Sequence, residues 1–168
     1  MRRKINGRLV PALALICLLL VNTTGQETKH LADFSLPRLN GQTVNSQDLQ
    51  DNIVVLDFWA IWCPPCVSEI PAFNDLQTKY RSRGLRVIGL AVQSDSASDI
   101  RNFIAEGHRI SYTVLVGNDQ VADDFEVIEP PTTYLIAPGW KAYKKYTGSE
   151  ENKVGEIELD IETLLRSK

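Results

Sequence analysis

Three cysteines, two histidines and one methionine are all that this 168-residue chain offers to soft-metal or redox chemistry. A structural zinc site takes four Cys or His ligands, usually as two clustered pairs. Only Cys63 and Cys66 are clustered here, and His30 and His108 stand far from them in sequence, so zinc is disfavoured. A disulfide framework would use several well-separated cysteines, and these are missing too. Basic charge is also short, with 18 Lys and Arg against 21 Asp and Glu, which excludes an electrostatic grip on nucleic acid. The longest apolar run, residues 9–21, falls short of the roughly 20 residues that span a bilayer comfortably. Internal repeats, low-complexity tracts and a second-domain linker are absent, so the length accommodates one ordinary domain and a short extra segment at the front.

That front segment, MRRKINGRLVPALALICLLLVNTTG, has Arg2, Arg3, Lys4 and Arg8 before the apolar run and small residues Thr23 and Gly25 after it. This is the layout of a secretory signal over residues 1–25, with an uncleaved membrane anchor as the alternative. Lipid attachment at Cys17 is disfavoured by the bulky Ile16 before it. Without residues 1–25 the chain keeps 14 basic and 21 acidic residues, a net charge of −7 that argues against adhesion to anionic lipid. Residues 26–168 are then an exported, acidic domain with two cysteines, a monomer touching the membrane only through its leader if that is retained. A pair closing so small a loop removes little unfolded-state entropy, so chemistry explains it better than stability does.

Within this domain, Asn40-Gly41 divides two short alternating pieces between residues 33 and 49, the mark of a β-hairpin. Residues 53–59 (IVVLDFW) are continuously apolar apart from Asp57, as in a strand covered on both faces. Pro64 and Pro65 suit a first helical turn, and Val67, Ile70, Phe73, Leu76 and Tyr80 follow at helical spacing up to a stop at Gly84. Strands are expected at 85–92 and 112–116, helices at 96–105 and 119–125, a hairpin at 133–146 around Pro138-Gly139, and a final amphipathic helix at 154–165. This order describes an α/β sheet with helices on both faces.

The cysteines therefore stand where a buried strand ends and a helix begins. Unsatisfied backbone N–H groups and the helix dipole there stabilise a negative sulfur, the form in which cysteine is nucleophilic. Cys63 is expected to attack an external disulfide, and Cys66, one turn on and more sheltered, to resolve the mixed disulfide. Asp57 in its apolar strand should be a carboxyl group with a raised pKa, suited to taking the Cys66 proton; the competing reading is a strand-end acid facing water. Glu69, three residues after Cys66, shares its helix face, and the competing reading is a carboxylate placed there by the helix dipole.

FWAIWCPPC followed by SEIPAF, with PPTTYLIAPG at residues 130–139, resembles the extracytoplasmic thioredoxin-like thiol–disulfide oxidoreductases of the TlpA/ResA type. The resemblance runs over residues 31–166. It implies a thioredoxin fold, a central mixed sheet flanked by helices, with an N-terminal β-hairpin and a helical insertion. It implies further that Pro131 is a cis-proline facing the Cys63–Cys66 disulfide, with Trp62, Pro64, Pro65, Pro130 and Thr132 forming the surface on which substrate docks. Asp57 matches the buried aspartate of thioredoxin and Glu69 the glutamate of the ResA group; which of them is the base stays open. Pro130 departs from the family, because a residue with a backbone N–H usually precedes the cis-proline and pairs with substrate peptides. Trp59 is assigned to the core and Trp140 receives no role.

The expected activity is reduction of disulfides in exported partner proteins, with apocytochrome c in cytochrome c maturation as the partner class the resemblance suggests first. It needs no cofactor beyond the redox-active pair, and a membrane thiol carrier as electron donor. The rivals are a disulfide oxidant or isomerase of the same fold, a peroxiredoxin-like peroxidase, and a copper or haem-pathway binding module. Peroxiredoxins carry a threonine three residues before the attacking cysteine, where this chain has Ala60. A binding module would want His or Met nearby, and the only methionine is Met1. WCPPC also resembles cytosolic tryparedoxins, from which the leader sets this chain apart.

Overall fold

A computed structural model describes residues 29–93 and 96–167, so the expected leader, with Cys17, lies outside the described residues. The first elements are the hairpin strands β1 (Ser35–Pro37) and β2 (Thr43–Asn45), paired antiparallel. Gly41 takes the left-handed conformation at φ 86° that the turn demands, and the Asn40 side chain accepts from the Gln42 N–H. The hairpin buries Leu36 and Val44 on the main body.

Five strands build the principal sheet: β3 (Ile53–Trp59), β4 (Leu85–Ala91), β5 (Thr113–Val116), β6 (Thr132–Ala137) and β7 (Lys141–Thr147). Their spatial order is β5-β4-β3-β6-β7, with β3 parallel to β4 and antiparallel to β6. All seven residues of β3 are buried, as expected for a central strand covered on both faces. Alternation along it separates two cores. Ile53, Val55 and Trp59 face α1 (Pro64–Tyr80), α2 (Ala97–Ala105) and α4 (Lys153–Arg166). Val54, Leu56 and Phe58 face α3 (Asp119–Asp124) and the hairpin. By the same alternation Asp57 belongs to the α1 side.

Helix α1 runs on through Pro71, although an interior proline costs about 3 kcal/mol. Ile70, Phe73, Leu76 and Tyr80 are all buried on the sheet, and each such side chain contributes about 1.5–3 kcal/mol, so packing outweighs the missing bond. The helix ends in a short 3-10 turn, and Gly84 at φ 93° reverses the chain into β4.

Trp140 lies in the turn between β6 and β7, as expected, and the structure adds what the sequence left unassigned. Trp140 has a core role: it is fully buried, packs edge-on to Phe34 at 5.7 Å, and donates its indole N–H to the Ala32 carbonyl at 3.0 Å. Its φ of 58° costs about 1–3 kcal/mol. Burying an indole of some 150–250 Å² returns more than that. Trp140 thereby fastens the segment before the hairpin to the end of the sheet.

Candidate active site

The site forms where β3 runs into α1. Cys63 is the residue capping α1, in extended conformation, and its Sγ accepts the backbone N–H of Cys66 at 3.3 Å. Pro64 and Pro65 fill the first helical positions, where a missing N–H leaves no bond unmade. Cys63 and Cys66 are joined, S–S 2.03 Å and Cα–Cα 5.3 Å, in a disulfide. The greater shelter expected for Cys66 is slight: Cys63 is 3% and Cys66 1% exposed. What separates the two sulfurs is the helix end, since the N–H groups and dipole of α1 converge on Cys63.

Trp62 stands 57% exposed beside the pair, and its indole N–H donates to the Gln93 carbonyl at 2.7 Å. Trp59 is buried in the core, as expected. It leaves room for no side chain on β4 at Gly89, where a Cβ would come within 2.8 Å of Tyr112 and 3.0 Å of the Trp59 indole nitrogen. That glycine is a packing requirement no motif announced.

The peptide bond Pro130–Pro131 is cis. Thr132, the next residue, pairs with Phe58 in the β6–β3 register, which puts Pro131 at the end of the sheet where β3 delivers the cysteines. Pro130 is half-buried, Pro131 buried, and Pro64 and Pro65 exposed. Thr132 was expected on the docking surface, but its side chain is buried and donates to the Glu129 carbonyl at 2.8 Å. It braces the loop that carries the prolines.

On the α1 side of the sheet, which also holds the disulfide, lies a buried polar group. Asp57, 1% exposed, accepts the Thr133 hydroxyl at 2.8 Å across the β3–β6 ladder, which rules out the reading of an acid facing water. Burial pushes its carboxyl up to about 7, against the opposing pull of the Lys153 charge and the Thr133 bond; the Glu69 charge pushes the same way as burial. Glu69, one turn beyond Cys66, is also buried, and burial raises its carboxyl while Lys153 draws it back. Its Oε2 meets the Lys153 Nζ at 2.7 Å, as a contact of charges rather than an aligned hydrogen bond. Tyr112 closes the group; burial, then the Asp57 and Glu69 charges, hold its phenol well above the ordinary range.

Lys153 lies just outside the helix expected over 154–165, whereas α4 begins with it. The signal was there: Lys153, Ile157 and Ile161 recur at four-residue spacing and are the buried residues of α4. The two histidines lie in other company, His30 Nδ1 against the Leu31 carbonyl and His108 stacked on Phe103 with ring centres 3.9 Å apart. Among the described residues, no helix is long and apolar enough to cross a membrane.

Comparison with known proteins fits this geometry. The profile of the AhpC/TSA family matches residues 28–141. The thioredoxin-like protein YneN of Bacillus subtilis is 32% identical over 139 residues, covering 82% of this chain and 81% of that protein. The thiol-disulfide oxidoreductase ResA of the same organism is 32% identical over 118 residues, covering 70% of this chain and 65% of ResA. Among solved structures, a putative thiol:disulfide interchange protein DsbE from Chlorobium tepidum superposes with a TM-score of 0.76 at 29% identity, covering 82% of this chain and 96% of that one. A strand–disulfide–helix junction of this shape, on this fold and with these relatives, makes the chain a thiol–disulfide oxidoreductase: it belongs to the AhpC/TSA family, in the TlpA/ResA-type group.

Proposed function

We propose that the protein works as a reductant of disulfides in exported partner proteins, outside the cytoplasm, and is itself re-reduced by a membrane thiol carrier. The observation that carries the exchange chemistry is the position of Cys63 as the cap of α1, with the Cys66 N–H on its sulfur; the reducing direction is the one that the likeness to the TlpA/ResA type suggests. In the reduced protein, the Cys63 thiolate attacks one sulfur of the partner disulfide. A Cys63–partner bond forms, and the partner's other sulfur leaves as thiolate and takes a proton. Cys66 then gives its proton to a buried carboxyl group, Asp57 or Glu69, and its sulfur attacks Cys63. The Cys63–Cys66 bond forms, and the partner's second sulfur leaves with the electron pair and is protonated. The partner gains two electrons and two protons, and the enzyme dithiol becomes the disulfide. The carrier returns two electrons and two protons in the reverse exchange.

Trp62, Pro64, Pro65 and Pro130 form the surface that receives the partner, and Pro131 lines the approach to the sulfurs. Apocytochrome c, which must present reduced cysteines for haem attachment, is the partner class we place first. Trapping tests the reading. A Cys66→Ser variant, reduced and mixed with a peptide spanning a CXXCH disulfide, should accumulate a mixed disulfide through Cys63, and a Cys63→Ser variant should not. Failure of the Cys66→Ser protein to capture any disulfide peptide would end the proposal.

A further inference from the structure

The deep burial of Lys153 has no stabilising explanation. Lysine is almost never buried without a partner, and pairing returns little of what desolvating two ions costs. Lys153 is 3% exposed and its partner Glu69 9%. It is also the first residue of α4, where the helix dipole opposes a positive charge, and Asn152 before it provides no side-chain cap. The inward stripe of this helix continues as Ile157 and Ile161, so an apolar residue at 153 would suit both packing and dipole. A residue that breaks two local rules together belongs with a site rather than with the scaffold.

The neighbours say which site. Thr133 bonds Asp57 from β6 and Gly89 of β4 stands opposite it in the sheet, while the charges of Lys153 on α4 and Glu69 on α1 act on Asp57, and Asp57 and Glu69 act on Tyr112 before β5. Glu69 lies on the face of α1 that carries Cys66, and Asp57 points to the same side of the sheet. Two buried carboxyl groups thus share with Cys66 one side of the sheet, and they are not equivalent. If Glu69 took a proton, it would leave the Lys153 charge buried and unpaired, the most expensive outcome for an interior ion. Asp57 is bonded by a neutral hydroxyl and can gain a proton without stranding a charge.

We propose that Lys153 is a positioning residue for the resolving step: from the first turn of α4 it holds Glu69 in a buried ion pair, and so leaves Asp57 as the carboxyl group that takes the Cys66 proton. In that step the Cys66 S–H proton passes to Asp57 while the sulfur forms its bond to Cys63 and the Cys63–partner bond breaks. The inference rests on the reductant reading, and it settles which acid acts.

The test follows the Asp57 carboxyl by NMR titration in the full-length oxidised protein, alongside the pH profile of peptide release from the Cys63 mixed disulfide. In the native chain both should turn over near pH 7. Lys153→Met should move both midpoints up by about one pH unit, slowing release about tenfold at pH 6. Lys153→Arg should restore the native midpoint. Glu69→Gln, which leaves Lys153 unopposed, should move both midpoints down. A merely structural role would not give shifts of opposite sign. If Lys153→Met does not fold, the downward shift in Glu69→Gln and the native midpoint in Lys153→Arg still decide. Midpoints that stay in place, or move the same way in Lys153→Met and Glu69→Gln, overturn the proposal. A native protein that releases no peptide at any pH would instead overturn the reductant reading, while the Asp57 titration would still judge Lys153.

Discussion

Thr133 donates its hydroxyl to Asp57 at 2.8 Å across the ladder of the two antiparallel strands at the centre of the sheet. The bond ties the segment carrying the cis-proline to the strand that delivers the cysteines. It also favours the charged form of a carboxyl group that burial otherwise holds neutral. Thr133→Val should therefore raise the Asp57 midpoint above pH 7, by about one unit at most, read by carboxyl NMR. An unchanged midpoint would show that the bond does not reach the proton equilibrium.

Asp57 should make stability depend on pH. Its folded pKa of about 7 lies above its ordinary 3.8, so the folded state binds the proton more tightly than the unfolded one. Stability from this group is therefore full below about pH 4 and lost as pH rises toward 7, with no further loss above. Asp57→Asn should be more stable than the native protein at pH 8, by a few kcal/mol, and about equal to it near pH 4. Denaturant titrations at both values check this. The same variant should keep the first attack by Cys63 and lose the rise of the resolving rate near pH 7.

Pro130 has no backbone N–H to offer a docked peptide strand. Pro130→Thr should lower KM for a peptide disulfide and leave reduction of a small neutral disulfide such as hydroxyethyl disulfide unchanged. Equal effects on both substrates, or none on the peptide, would dismiss a role in strand pairing.

Two packing sites should be costly to change. Trp140→Ala should destabilise by about 3–5 kcal/mol through the emptied core and the unpaired Ala32 carbonyl. Gly89→Ala should also lower Tm, because its Cβ would meet Tyr112 and the Trp59 indole. Thermal melts of the oxidised proteins measure both. A Trp140→Ala protein as stable as the native one would mean that the tryptophan is not the fastening it resembles here.

Much of the site was legible because its residues break local patterns. A lone acid in IVVLDFW, and two prolines between two cysteines at a strand end, stand out against any structural expectation, and the structure places both where the reading did. The hairpin at Asn40-Gly41 was equally plain, since its turn chemistry is local. Lys153 was harder: a helix boundary set one residue late removed it from the buried stripe, and a lysine beside a loop reads as solvated. Its role comes from Glu69, 84 positions earlier, which no local pattern connects to it. Trp140 was missed for the same reason, because its partners Phe34 and Ala32 lie across the fold. Thr132 was placed on the docking surface by its neighbours, yet the hydroxyl turns inward to the loop carbonyl.

The equilibrium reduction potential of the Cys63–Cys66 pair tests the central claim most directly. A value near or below about −250 mV is predicted, at which the dithiol is a reductant that depends on a dedicated electron supply. A value of about −120 to −180 mV would contradict it and make the protein an oxidant or isomerase of the same fold.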